Sequence, residues 1–260
     1  MSEVAVSLNG VSVGYNEGTG CKTVLRGITA SLESGELVAL IGCNGAGKST
    51  LLRTLSAEQK PLAGDVEYRS GKLSGLSAAE LAKEISIVLT GCVVANMKVR
   101  ELVSLGRLPY TGFLGRLSKH DRLVVEEALQ LMGISEFAGR DIDSLSDGER
   151  QKCMIAKALA QDTPLMLLDE PTAFLDFHGK LHLFKTLRSI AREKGKSVLV
   201  STHDIELAMR VADRLWVADK GYLHTGTVEE LQSSGVLQSF IDGDGCRYNT
   251  KEQRIEYNQR

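Results

Sequence analysis

Gly42-Cys43-Asn44-Gly45-Ala46-Gly47-Lys48-Ser49 fits the pattern G-x-x-x-x-G-K-[ST]. Before it lies Leu37–Ile41, a continuous apolar run that reads as a strand buried on both faces. After it, from near Lys48, the pattern turns helical. Glycines let a backbone wrap a phosphate without Cβ clashes, and the free amides of a helix N-terminus then face the anion. Lys48 can reach the β- and γ-phosphates of a nucleotide, and Ser49 can ligate Mg²⁺. The strand on one side and the helix on the other separate this reading from a glycine-rich turn that happens to hold a lysine.

A second apolar strand, Leu165–Leu168, ends in the acids Asp169 and Glu170. In a parallel sheet, ligands gather at the carboxyl ends of the strands. Asp169 is then placed to hold Mg²⁺ through water, and Glu170 to polarise an attacking water as general base. Alone, the pair reads equally well as a surface strand end or helix cap. The phosphate loop upstream favours the chemical reading.

Outward from these two stretches, Val4, Val6 and Leu8 alternate with small or polar residues, and Asn9-Gly10 is a hairpin signal before Val11 and Val13. Leu25 to Leu32 suggests another strand. Ser77 with Glu80 is a capping-box helix start, and Ile85–Leu89 a further buried strand. From 91 to 162 the pattern is helical. Within it, Ser118 and Asp121 open a helix with an expected apolar face of Leu123, Val124, Ala128, Leu131 and Met132, ended by Gly133. A helix over 177–194 separates Leu165–Leu168 from a strand at Val198–Val200. Strands alternating with helices imply a parallel sheet. Residues 241–260 are polar and are expected to be loosely attached.

The 260 residues are 43% hydrophobic and 25% charged, with a net charge of −2, as in a folded globular protein with no basic field for nucleic acid. No uncharged stretch is long or apolar enough to span a bilayer, and the N-terminus has no signal-peptide pattern. Five scattered cysteines, Cys21, Cys43, Cys92, Cys153 and Cys246, form no Cys-x-x-Cys pair. They point away from a disulfide framework or zinc site and towards a reducing cytosol.

Leu145-Ser146-Asp147-Gly148-Glu149-Arg150-Gln151 resembles the signature of ATP-binding cassette (ABC) ATPases, normally LSGGQ. It lies 98 residues after Lys48 and 23 before Asp169, in that family's order. Ser146 and Glu149 also form a capping box, and a serine at a helix N-terminus suits an anion. Other family positions are matched in order. Tyr15 corresponds to the aromatic that stacks on adenine, Asp176 to the aspartate of the loop after the acid pair, and His203 to the histidine contacting the γ-phosphate. The resemblance covers roughly residues 3–235. It implies an α/β P-loop NTPase over 1–240. A RecA-like core, about 1–90 and 163–240 with an N-terminal antiparallel β-subdomain, carries an inserted helical subdomain at about 91–162. Nucleotide contacts are implied for Tyr15, Gly42, Cys43, Asn44, Gly45, Ala46, Gly47, Lys48, Ser49 and Thr50. Metal contacts are implied for Ser49 and Asp169, and catalytic roles for Lys48, Glu170 and His203. In a homodimer, Ser146, Asp147, Gly148 and Glu149 are expected to act on the nucleotide of the other copy.

Val99-Arg100-Glu101-Leu102-Val103 and Leu105-Gly106-Arg107-Leu108-Pro109-Tyr110 resemble the subfamily that serves importers of iron-siderophores, haem and cobalamin. This implies ATP and Mg²⁺ as cofactors and a separate permease dimer, with a substrate-binding protein as an indirect partner. The implied location is the cytoplasmic face of the inner (plasma) membrane. A soluble repair or translation ABC protein would show coiled coils, a second cassette or a basic patch, and an unrelated P-loop kinase or GTPase would lack the signature. An exporter subunit is disfavoured by the 99–110 segment. Three positions depart from the family: Asp147 and Glu149 in the signature, and Thr90 where the strand Ile85–Leu89 normally leads to a glutamine. The nearest upstream glutamine, Gln59, belongs to another segment. Thr90 is expected to do the glutamine's work at the metal with shorter reach.

Overall fold

The computed structural model describes residues 3–17, 20–89, 97–112, 115–243 and 245–257. Thr90 lies outside them. The chain opens with β1 (Val4–Glu17), β2 (Gly20–Glu33) and β3 (Leu37–Gly42), followed by α1 (Lys48–Leu55), β4 (Ala63–Tyr68) and β5 (Gly71–Lys72). Then come α2 (Ala78–Glu84), β6 (Ile85–Val88), α3 (Val99–Ser104), α4 (Lys119–Leu131) and α5 (Asp147–Ala160). The third part holds β7 (Leu165–Asp169), α6 (Phe177–Lys194), β8 (Ser197–Ser201), α7 (Ile205–Val211), β9 (Arg214–Asp219) and β10 (Tyr222–Gly226). The chain closes with α8 (Val228–Ser233), α9 (Val236–Ile241), β11 (Cys246–Asn249) and β12 (Arg254–Tyr257).

The α/β class expected from the sequence is the class observed. A six-stranded sheet runs β10-β9-β3-β8-β7-β6, parallel except for the edge strand β10. Every residue of β3, β7 and β8 is buried, as their unbroken apolar runs require. A four-stranded antiparallel sheet, β2-β1-β4-β5, packs on one side through Val6, Leu8, Leu25 and Leu32 against α1 and the main sheet. On the other side α3, α4 and α5 share one apolar cluster with α6 and the main sheet, so this helical stretch has no core of its own. Among the described residues no strand interrupts α3 to α5, and no helix is long and apolar enough to cross a membrane.

Three local expectations are corrected. Asn9-Gly10 is not a hairpin: β1 runs through it, Gly10 takes φ 63°, and the register with β2 slips between Leu8 and Val11. The dipeptide makes a bulge, another use of a left-handed glycine. Of the expected face of α4, Ala128 and Met132 are buried and Leu131 packs beside them, but Leu123 is 68% exposed, and Asp121, Val125 and Leu129 are buried as well. Asp121 is buried on that face as the acceptor of Arg107 Nε at 2.8 Å. Residues 241–243 and 245–257 are not loose. Tyr248 is buried in a cluster with Leu237 and Ile241, and the Ile255 amide donates to Glu206 at 2.9 Å. Strands β9 and β10 were not anticipated.

Candidate active site

The loop between β3 and α1 carries its helix start on Gly47, at φ 99° and with no side-chain cap. The first-turn amides of α1 therefore have no side-chain acceptor and remain available to an anion. Glycine is required twice here by close approach. A Cβ on Gly42 would stand 2.7 Å from the Ala218 carbonyl, and one on Gly47 would stand 2.7 Å from Val24 Cγ1. Lys48 is buried, and its Nζ donates to the carbonyls of Gly42 at 2.7 Å and Cys43 at 3.3 Å. Burial lowers its pKa, and the carboxylates of Glu170 and Asp169 oppose that shift.

β8 lies between β3 and β7, and their carboxyl ends bring three segments together. Asp169, buried at the end of β7, is paired in register with Ser201 at the end of β8. Ser201 Oγ donates to Asp169 Oδ1 at 2.6 Å and accepts the Glu170 amide at 2.9 Å. Glu170 sits at φ 47°, a left-handed conformation that is uncommon for a non-glycine residue. Its Oε1 meets Nε2 of His203, and its carboxylate lines the cleft over the phosphate loop.

That cleft, of about 540 Å³, is walled by Tyr15, Lys22, Val24, Asn44, Lys48 and Glu170, with the rest of the loop from Gly45 to Thr50 as its floor. Tyr15 is 42% exposed and not a core residue; its hydroxyl hydrogen-bonds Thr50 Oγ1. Asp169 and His203 join the cleft through Ser201 and Glu170. Ser49 and Asp169 offer the hard oxygen donors that suit Mg²⁺.

Ser146, Asp147, Gly148 and Glu149 line a different opening, of about 500 Å³, together with Phe174 and Asp176. Ser146 caps α5: Glu149 Oε2 accepts from its amide at 2.8 Å and its hydroxyl at 2.7 Å. These bonds hold the Glu149 carboxyl below its usual pKa. Asp147 lies 3.4 Å from Arg150. Both acids that depart from the usual signature are thus engaged within their own helix turn. Asp176 caps α6, accepting the Gly179 amide at 2.8 Å. The two openings share no lining residue. Sequence reasoning overlooked Ser201, which only strand register reveals.

Known proteins resemble the chain over most of its length. A family model described as ABC transporter matches residues 25–173. An uncharacterized ABC transporter ATP-binding protein of Methanocaldococcus jannaschii is 43% identical over 92% of this chain and 82% of its own length. The ferric enterobactin transport ATP-binding protein FepC of Escherichia coli is 37% identical over 92% of this chain and 88% of its own. The cobalamin import ATP-binding protein BtuD of Halobacterium salinarum is 39% identical over 77% of this chain and 50% of its own. A solved dimeric structure of a bacterial ABC transporter cassette superposes with a TM-score of 0.76 at 29% identity, covering 86% of this chain and 98% of that one.

Proposed function

The chain belongs to the ABC transporter family, and we propose that it is the ATP-hydrolysing subunit of an importer for an iron chelate (siderophore or haem) or cobalamin. One arrangement supports this most: an uncapped phosphate loop bearing Lys48 faces Glu170, itself paired with His203, across one cleft. The names of the enterobactin and cobalamin relatives, and the 99–110 segment, favour those cargoes. A separate permease crosses the membrane, and this subunit sits on its cytoplasmic face. Cargo selection belongs to the permease and a substrate-binding protein.

In this reading Tyr15 stacks on the adenine, and the loop from Gly42 to Thr50 holds the phosphates. Lys48 leaves the carbonyls of Gly42 and Cys43 for the β- and γ-phosphate oxygens. Ser49 and Asp169 hold Mg²⁺, which when bound offsets charge on the phosphates. Glu170 accepts a proton from the attacking water. His203 holds the Glu170 carboxylate and contacts the γ-phosphate. Two copies pair head to tail, so that Ser146 and Gly148 of one close over the nucleotide of the other, with Asp176 at the seam. Closure on ATP and opening after hydrolysis is the motion the permease reads.

Glu170→Gln keeps the shape and removes the base. It is expected to bind ATP, to lose turnover by roughly 100-fold or more, and to accumulate as an ATP-dependent dimer on size-exclusion chromatography. Near-normal turnover without a dimer would overturn the assignment.

A further inference from the structure

We infer that Lys22 is a nucleotide-binding residue, a second cation of the ATP cleft that acts on the phosphates from the strand wall beside Tyr15. The inference rests on the ATP-binding reading above. In the antiparallel pairing of β1 with β2, Val13 stands opposite Leu25 and Gly14 opposite Thr23, so Val24 is an extra, bulged residue. Beyond the bulge Tyr15 stands directly opposite Lys22. Residues paired in this way project from the same face of a sheet. That face is known at both ends. Val13 and Leu25 are wholly buried, and Leu25 Cγ would lie 3.1 Å from a Cβ on Gly47, so this end of the face abuts the phosphate loop. One pair further out, the Tyr15 hydroxyl reaches Thr50 in the first turn of α1. Lys22 shares this face, and the cleft is lined by it as well as by Tyr15.

The pairing is tight. A Cβ on Gly14 would stand 2.0 Å from the Lys22 carbonyl, so the two strands are held together where Lys22 branches off. Among the residues whose side chains are described, which leaves out Glu17, no carboxylate is paired with Lys22. Two cations, Lys22 and Lys48, thus line the cleft with one acid, Glu170. Lys48 is buried and committed to the end of the phosphate chain at the loop. Lys22 is exposed, and its long stem lets the ammonium follow the nucleotide along the rim. Such a charge acts through solvent and is screened by salt.

The test is titration of the purified chain with a non-hydrolysable ATP analogue by calorimetry, at ~0.05 M and ~0.5 M salt, a range over which screening of exposed charges changes strongly. Lys22→Ala is expected to weaken Kd about two- to fivefold at low salt, the size of an exposed ion pair, with the gap closing at high salt. Lys22→Glu is expected to lose more, Lys22→Arg to match the wild type, and the exposed control Lys185→Ala to change nothing. Equal Kd values for wild type, Lys22→Ala and Lys22→Glu at low salt would overturn the inference and leave the ATP site standing. A wild-type chain that binds no analogue at all would overturn the ATP reading itself. Melting temperatures of the variants serve as the check on folding.

Discussion

A single hydroxyl organises the acids at the end of β7. Ser201 Oγ donates to Asp169 and accepts from the backbone of Glu170, so it fixes one carboxylate directly and the other through its left-handed main chain. Ser201→Ala is expected to slow ATP turnover about 10- to 100-fold, the usual cost of losing the group that orients a metal ligand, the role proposed for Asp169. ATP affinity is expected to hold, and Ser201→Thr, which keeps the hydroxyl, to recover part of the rate. Steady-state ATPase assays beside binding titrations decide the matter, and a fully active Ser201→Ala chain would dismiss the role. The local sequence around Ser201 does not reveal this serine's role. It is the parallel register of β7 with β8 that sets Ser201 opposite Asp169. The phosphate loop and the two acids, by contrast, are legible, because each carries its chemistry in consecutive residues. The acids of the signature are the opposite case. Asp147 and Glu149 look misplaced beside a phosphate until Arg150 and Ser146 are seen to engage them.

Among the elements, α4 shows where periodicity stops being informative. Its spacing marks a helix, and Ser118 and Gly133 mark its ends, but the face it buries depends on a partner outside it. Arg107, nearly fully buried, donates to Asp121 and to the Ala160 carboxy-terminal carbonyl of α5, and its guanidinium stacks 4.1 Å from the Tyr110 ring. Arg107→Ala leaves Asp121 buried without its counter-charge, held by Ser118 alone, and is expected to destabilise the fold by about 3–5 kcal/mol in denaturant unfolding. A loss within error of zero would show the pair to be incidental. Hydrogen bonds from Ser118, with Arg107 beside them, hold the Asp121 carboxyl down at about 2. A depressed folded pKa means that the stabilisation is present above the unfolded value near 3.8 and is lost as pH falls from there through about 2. Acid unfolding of the wild type should therefore show a component in that window that Arg107→Ala lacks in part. The bulge at Gly10 and the docked hairpin of β11 and β12 were illegible for a related reason. A glycine after asparagine serves a turn or a bulge equally well, and a polar hairpin needs only Tyr248 and Ile255 turned inward to dock.

At the scale of the whole molecule, two of the openings among the described residues carry the residues that the proposed function assigns to the two halves of one site. One presents the phosphate loop, Glu170 and His203; the other presents the capped start of α5 beside Asp176. Phe174 and Phe177, flanking Asp176, are 53% and 66% exposed, which suits a seam closed by a second copy. A head-to-tail pair of identical chains then makes two sites, each drawing on both chains. That arrangement is a proposal that comes from the resemblance of Leu145–Gln151 to the family signature, since no local pattern says which copy a serine serves. The decisive measurement is ATPase complementation. Lys48→Ala disables the loop and Ser146→Arg the signature, and each variant alone is expected to be inactive. In an equal mixture, half the dimers carry one site built from an intact Lys48 and an intact Ser146, so activity should return to about a quarter of the wild-type rate. A mixture as inactive as its components, or a Ser146→Arg chain active on its own, would contradict sites shared between two copies.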